Sequence, residues 1–76
     1  MVKLPIVSGS KIIKALQSIG FEIVGQKGSH VRLKKKTSKE TRIAIVPIHD
    51  ELTPGTLLSI IRQSGLTKEG LKGLIK

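Results

Sequence analysis

The residues best suited to chemistry lie in one short segment, Gly25-Gln26-Lys27-Gly28-Ser29-His30, followed at alternate positions by Arg32 and Lys34. A histidine side chain, with an ordinary pKa of about 6.5, can both take and give a proton near neutral pH. Cations beside it would bind the phosphates of a nucleic acid and stabilise charge developing on a phosphoryl oxygen. A glycine turn that delivers His30 to the start of a strand would therefore set an acid–base group among phosphate-binding groups. A single histidine in a basic hairpin is also simply a surface residue, so the segment alone names a candidate.

His49, the second histidine, follows Pro47 and precedes Asp50 and Glu51. Its plain role is that of a loop residue bonded to backbone or paired with Asp50. A two-histidine metal site would need carboxylate or thiolate partners at ligand spacing, and only Asp50 and Glu51 are near in sequence. The chain has no cysteine, and its five acidic residues are scattered, whereas a two-metal nuclease needs several converging carboxylates. The expectation is catalysis with no metal and no cofactor. That points to RNA, whose 2′-hydroxyl is a built-in nucleophile that a histidine base can activate. Lys27, Lys34 and His49 all remain candidates for protonating the leaving 5′-oxygen.

The elements that must position these groups carry clear end signals. Ser8 is an N-cap, Val7 and Ile12 form a staple across it, and Ile12, Ile13, Leu16 and Ile19 make an apolar stripe that Gly20 ends. This predicts a helix over residues 9–19, with Phe21 folding back on Leu16. Strands are expected at residues 21–25, 30–34 and 42–46. A three-residue turn, Gln26-Lys27-Gly28, would pair Ile23 with Val31 and Phe21 with Leu33, keeping the apolar set on one face; a two-residue Lys27-Gly28 turn would not. Thr53 and Pro54 open a second helix with Leu57, Leu58 and Ile61 on its stripe, and Gly65 closes it. Residues 67–76 could add a short helix from a Thr67 cap, although Gly70 and Gly73 each weaken it by about 1 kcal/mol.

The order is α-β-β-β-α in a single domain over residues 1–76, an α+β fold. A three-stranded antiparallel sheet would bury one face (Phe21, Ile23, Val31, Leu33, Ile43, Ile45) under two helices. By the same alternation the open face would carry His30, Arg32, Lys34 and Arg42.

Charge agrees with this placement. Fourteen Lys and Arg against five Asp and Glu give +9, which favours an anionic partner. Seven of the fourteen basic residues fall within residues 27–42, beside the single acid Glu40. Met1-Val2-Lys3-Leu4-Pro5 shows no leader pattern, and no stretch approaches the roughly 20 apolar residues of a membrane span, so a cytoplasmic location off the membrane is expected. Phe21 is the only aromatic residue and is claimed by the core, so RNA binding is expected to be mostly electrostatic and weakly sequence-dependent.

Along most of its length the chain resembles the HicA (YcfA-like) toxins. The likeness runs from Ile19-Gly20-Phe21 through Lys27-Gly28-Ser29-His30 and Val46-Pro47-Ile48-His49 to Thr53-Pro54-Gly55-Thr56-Leu57 and Ile60-Ile61-Arg62-Gln63-Ser64-Gly65-Leu66. The resemblance implies a double-stranded-RNA-binding-domain-like fold and cleavage of messenger RNA. It also implies a HicB-like antitoxin that covers the active site. The family's catalytic histidine falls on His30, and the family often has a histidine near His49, which makes that residue a candidate secondary site. Lys27, Gly28, Ser29, Arg32, Lys34 and Arg42, from the turn and the open face, are the expected RNA-binding neighbours. Two alternatives stand beside a toxin ribonuclease. One is a double-stranded-RNA-binding module without activity, and the other is a protein-interaction domain with a basic face.

Overall fold

A computed structural model describes residue 4 and residues 6–75 of the chain. The leader reading of residues 1–5 falls largely outside the described residues. The elements are α1 (Gly9–Ser18), β1 (Glu22–Lys27), β2 (His30–Lys36), β3 (Thr41–Pro47), α2 (Pro54–Ser64) and α3 (Lys68–Leu74). The strands form one antiparallel sheet in the order β1-β2-β3. This is the α-β-β-β-α order of the double-stranded-RNA-binding-domain-like fold, with α3 appended.

The helix ends form where the capping residues require them. Hydroxyl oxygens of Ser8, Thr53 and Thr67 accept from the backbone N–H groups of Lys11, Thr56 and Gly70 at 3.2, 3.3 and 2.9 Å. Each cap satisfies one otherwise unpartnered donor and contributes about 1 kcal/mol. α1 ends in a Schellman motif: Gly20, at φ +102, donates to Gln17 O, and Phe21 N donates to Leu16 O at 3.1 Å. α3 forms despite its two glycines. Leu71 is fully buried and α3 packs against both α1 and α2. Burial of a leucine stabilises by about 1.5–3 kcal/mol, and with the Thr67 cap this outweighs the glycine penalty.

The core lies between the helices and one face of the sheet. Ile12 and Leu16 from α1, Phe21, Val31 and Leu33 from β2, and Leu57, Ile60 and Leu71 are each at most 3% exposed. β3 departs from expectation. Ala44 and Val46 are fully buried opposite Leu33 and Val31, whereas Ile43 and Ile45 are 41% and 40% exposed. Both alternating sets of β3 are apolar, so alternation could not choose between them. Main-chain chemistry and bulk separate them. Pro47 has no N–H to give to β2, and Ile45, at the same parity, gives its N–H to Gln63 Oε1 of α2 at 2.9 Å, away from β2. Small Ala44 then takes the inward place beside Leu33, beneath the helix layer.

The β1–β2 hairpin also differs. Its turn is the two-residue Gly28-Ser29, with Lys27 opposite His30. Gly28 has φ +59 and, among the described residues, no non-glycine residue has positive φ, which matches a type II′ turn with glycine in its first central position. A bulge between Ile23 and Gly25 then places Ile23, half exposed, beside Leu33 instead of Val31. Without the extra residue Phe21 would come up on the open face. The bulge returns it to the core, where it is 2% exposed.

Candidate active site

The hairpin tip is held from two sides. Gln26 Nε2 donates to Gly28 O at 3.1 Å, bracing the turn, and Ile48 N donates to Ser29 O at 2.6 Å, tying the turn to the end of β3. His30 begins β2 directly after this anchored turn and is exposed. Its cross-strand partner on β1 is Lys27. Directly opposed residues share a face, with Cβ atoms about 4.5–5.5 Å apart, so an ammonium group and an imidazole lie within reach of one bound phosphate.

Lys27, Gly28, Ser29, His30 and Arg32 line one open concavity of about 850 Å³, together with Gly25, Gln26 and Ile45. Five of the residues singled out from the sequence thus come together. Lys34 stands one pleat farther along the same face, opposite Ile43, and is exposed. At the ~3.4 Å rise of a strand it lies about 14 Å from His30 along β2, too far to serve the same phosphate.

Arg42 is not on the open face. Its expected place there followed from putting Ile43 and Ile45 inward, and the reversed phase of β3 carries it to the helix side. It pairs with Lys35 in register, forms an ion pair with Glu40, and its guanidinium packs against Gly65 at the end of α2. A cation there meets the negative end of the helix dipole, so its visible contacts are structural. Lys35, on the same side, lies with its Nζ 5.9 Å from the Phe21 ring centroid. His49 is exposed, and its backbone is committed: its carbonyl accepts from Gly9 N at 2.9 Å and its N–H donates to Pro47 O at 3.0 Å. It does not line the concavity with His30.

Two features of the face were missed. Lys36 continues the alternation of His30, Arg32 and Lys34 and is exposed, a signal present in the spacing itself. Ile43 and Ile45 add an apolar row that nothing in the alternation indicated. Among the described residues no group of three or more His, Asp or Glu side chains gathers into a possible metal site, and no helix is long and apolar enough to cross a membrane.

Scaffold and site together define a small α+β domain of the double-stranded-RNA-binding-domain-like type, with one histidine at the head of a cationic, uncovered sheet face. The family described as the HicA toxin of bacterial toxin–antitoxin systems matches residues 9–66, from the start of α1 to just beyond α2. The chain belongs to this toxin family. None of the curated proteins matches it.

Proposed function

We propose that this chain is the toxin of a type II toxin–antitoxin pair and acts in the cytoplasm as a metal-independent endoribonuclease on messenger RNA, with His30 as general base. One observation carries the reading: His30 is exposed at the end of a braced turn, with Lys27 opposite and Arg32 in the same concavity. Family membership supports the toxin role and a HicB-like antitoxin as partner. Such an inhibitor would cover the open face and bury His30.

In the proposed reaction the His30 imidazole takes the proton of a 2′-hydroxyl. The 2′-oxygen attacks the adjacent phosphorus, and the bond from phosphorus to the 5′-oxygen breaks. The leaving 5′-oxygen takes a proton from Lys27. Of the three candidates for that role Lys27 has the best claim, because it opposes His30 directly, Lys34 is two pleats away and His49 lies outside the concavity. The Arg32 guanidinium neutralises charge on the non-bridging oxygens as they become more negative. Gly28 and Ser29 shape the turn that holds the imidazole.

The purified chain should cleave RNA in the presence of chelator, leaving a 2′,3′-cyclic phosphate and a 5′-hydroxyl. His30→Ala should keep the fold and most RNA affinity while the rate drops roughly 10²–10⁴-fold. A single 2′-deoxynucleotide at the cleaved bond should block it. Cleavage of that deoxy-substituted bond, or 5′-phosphate products, would refute the mechanism. RNA binding without cleavage by the unaltered chain would select the binding module instead.

A further inference from the structure

The open face carries two parallel rows of different chemistry. Along β2, His30, Arg32, Lys34 and Lys36 occupy successive positions of one parity, all exposed, with unbroken register against β3. They cover about 20 Å at the ~3.4 Å strand rise, one side chain every ~6.8 Å, three of the four being cations. That interval is of the order separating successive phosphates in an extended polynucleotide. Beside this row, on β3, Ile45 opposes Arg32 and Ile43 opposes Lys34, both partly exposed. On the β1 side the neighbour of Lys34 is Glu22, an acid that repels phosphate. The face is therefore cationic along its middle, apolar on one flank and polar on the other.

We propose, building on the ribonuclease reading, that this face is a track for single-stranded RNA. The strand runs along β2 with the cleaved phosphate at His30 and its neighbours on Arg32, Lys34 and Lys36, while its bases turn toward β3 and rest on Ile45 and Ile43. A duplex presents only phosphates, sugars and groove edges, because its base faces are stacked inside, and would leave the isoleucine row uncovered. An unpaired strand offers one charged edge and one apolar edge, matching the two rows. The flank is a poor template for a protein strand, since Pro47 has no N–H and the Ile45 N–H is already given to Gln63.

The test measures binding by the full chain carrying His30→Ala, so that cleavage plays no part. The probes are a short unstructured RNA, the same sequence as a duplex, the same strand with abasic sites, and a polyglutamate peptide. The single strand should bind more tightly than the duplex. The I43T/I45T double variant, which keeps β-branched side chains, should weaken single-strand binding roughly threefold to tenfold, as expected for losing part of an apolar contact. The abasic strand should bind as weakly, and the double variant should weaken it no further. Lys36→Ala should flatten the salt dependence of single-strand affinity by about 0.7 units of logarithmic slope. Equal affinity for duplex and single strand would overturn the proposal, as would an abasic strand that binds like the intact one; this last arm needs no altered isoleucine. Capture of polyglutamate but no RNA would reassign the face to an acidic protein. Wild-type chain that fails to cleave while this binding pattern holds would sink the ribonuclease reading and leave the track standing. Cleavage without the pattern would do the reverse.

Discussion

Lys27 and Lys34 are the same residue type on the same sheet face, and their positions give them different work. Lys27 opposes His30 across the hairpin; Lys34 opposes Ile43, farther down β2. Under the proposed mechanism Lys27→Ala removes the group that protonates the leaving oxygen. It should lower kcat by about 10²–10⁴-fold with a small change in RNA affinity. Lys34→Ala removes a phosphate contact. It should weaken binding of all sequences alike and flatten the salt slope by about 0.7–0.9 with little change in kcat. Single-turnover cleavage alongside salt-dependent binding separates the two effects. Equal losses of kcat in both variants would remove Lys27 from its assigned role.

At the scale of elements, β3 decides what the site looks like. Its inward residues, Ala44 and Val46, are fully buried, and its outward ones, Ile43 and Ile45, face solvent beside the cations. Enlarging Ala44 to Leu should overpack the space beneath the helices and destabilise by about 1–3 kcal/mol. Replacing Ile43 with Thr, on the solvent side, should change stability by about 0.5 kcal/mol or less. Urea unfolding of both variants checks the phase of the strand. The opposite ranking would restore the inward isoleucines and return Arg42 to the open face. Gly9 fixes the other end of β3: a Cβ there would collide with the Pro47 carbonyl oxygen. The start of α1 therefore rests directly on the backbone beyond β3, and no other residue type fits without moving one of them.

For the whole molecule, a chain of 76 residues has little stability in reserve. Leu33, with no exposed surface at the centre of β2, and Leu71, which joins α3 to both other helices, each hold separate layers together. Leu33→Ala and Leu71→Ala should each cost roughly 2–5 kcal/mol. The first should bring the whole fold close to unfolding. The second acts outside the segment matched by the toxin family, and below its lowered melting temperature it should leave the His30 hairpin and any cleavage intact. Thermal melts with cleavage assays at low temperature check this. Loss of cleavage at a temperature where the Leu71→Ala variant is still folded would tie α3 to the site.

Local chemistry determined much of this protein from the sequence alone. Ser8, Thr53, Thr67, Gly20 and Gly65 set the helix ends, because capping involves residues only a few positions apart. Strict alternation in β2 determined that Val31 and Leu33 go inward and His30, Arg32 and Lys34 outward, since only one of its two faces is apolar. The same spacing pointed to Lys36, and the turn glycine to an exposed His30. What tertiary structure alone decided lay where two local solutions were nearly equal. In β3 both faces are apolar, and the choice fell to Pro47, to the Gln63 bond from another element and to the room beneath the helices. That choice moved Arg42 to the end of α2 and set Ile43 and Ile45 beside the cations. In the first hairpin, burial of Phe21 required a bulge between Ile23 and Gly25, and the two-residue Gly28-Ser29 turn set Lys27 opposite His30. Such outcomes depend on contacts between residues distant in the chain, and no window of neighbouring residues contains them.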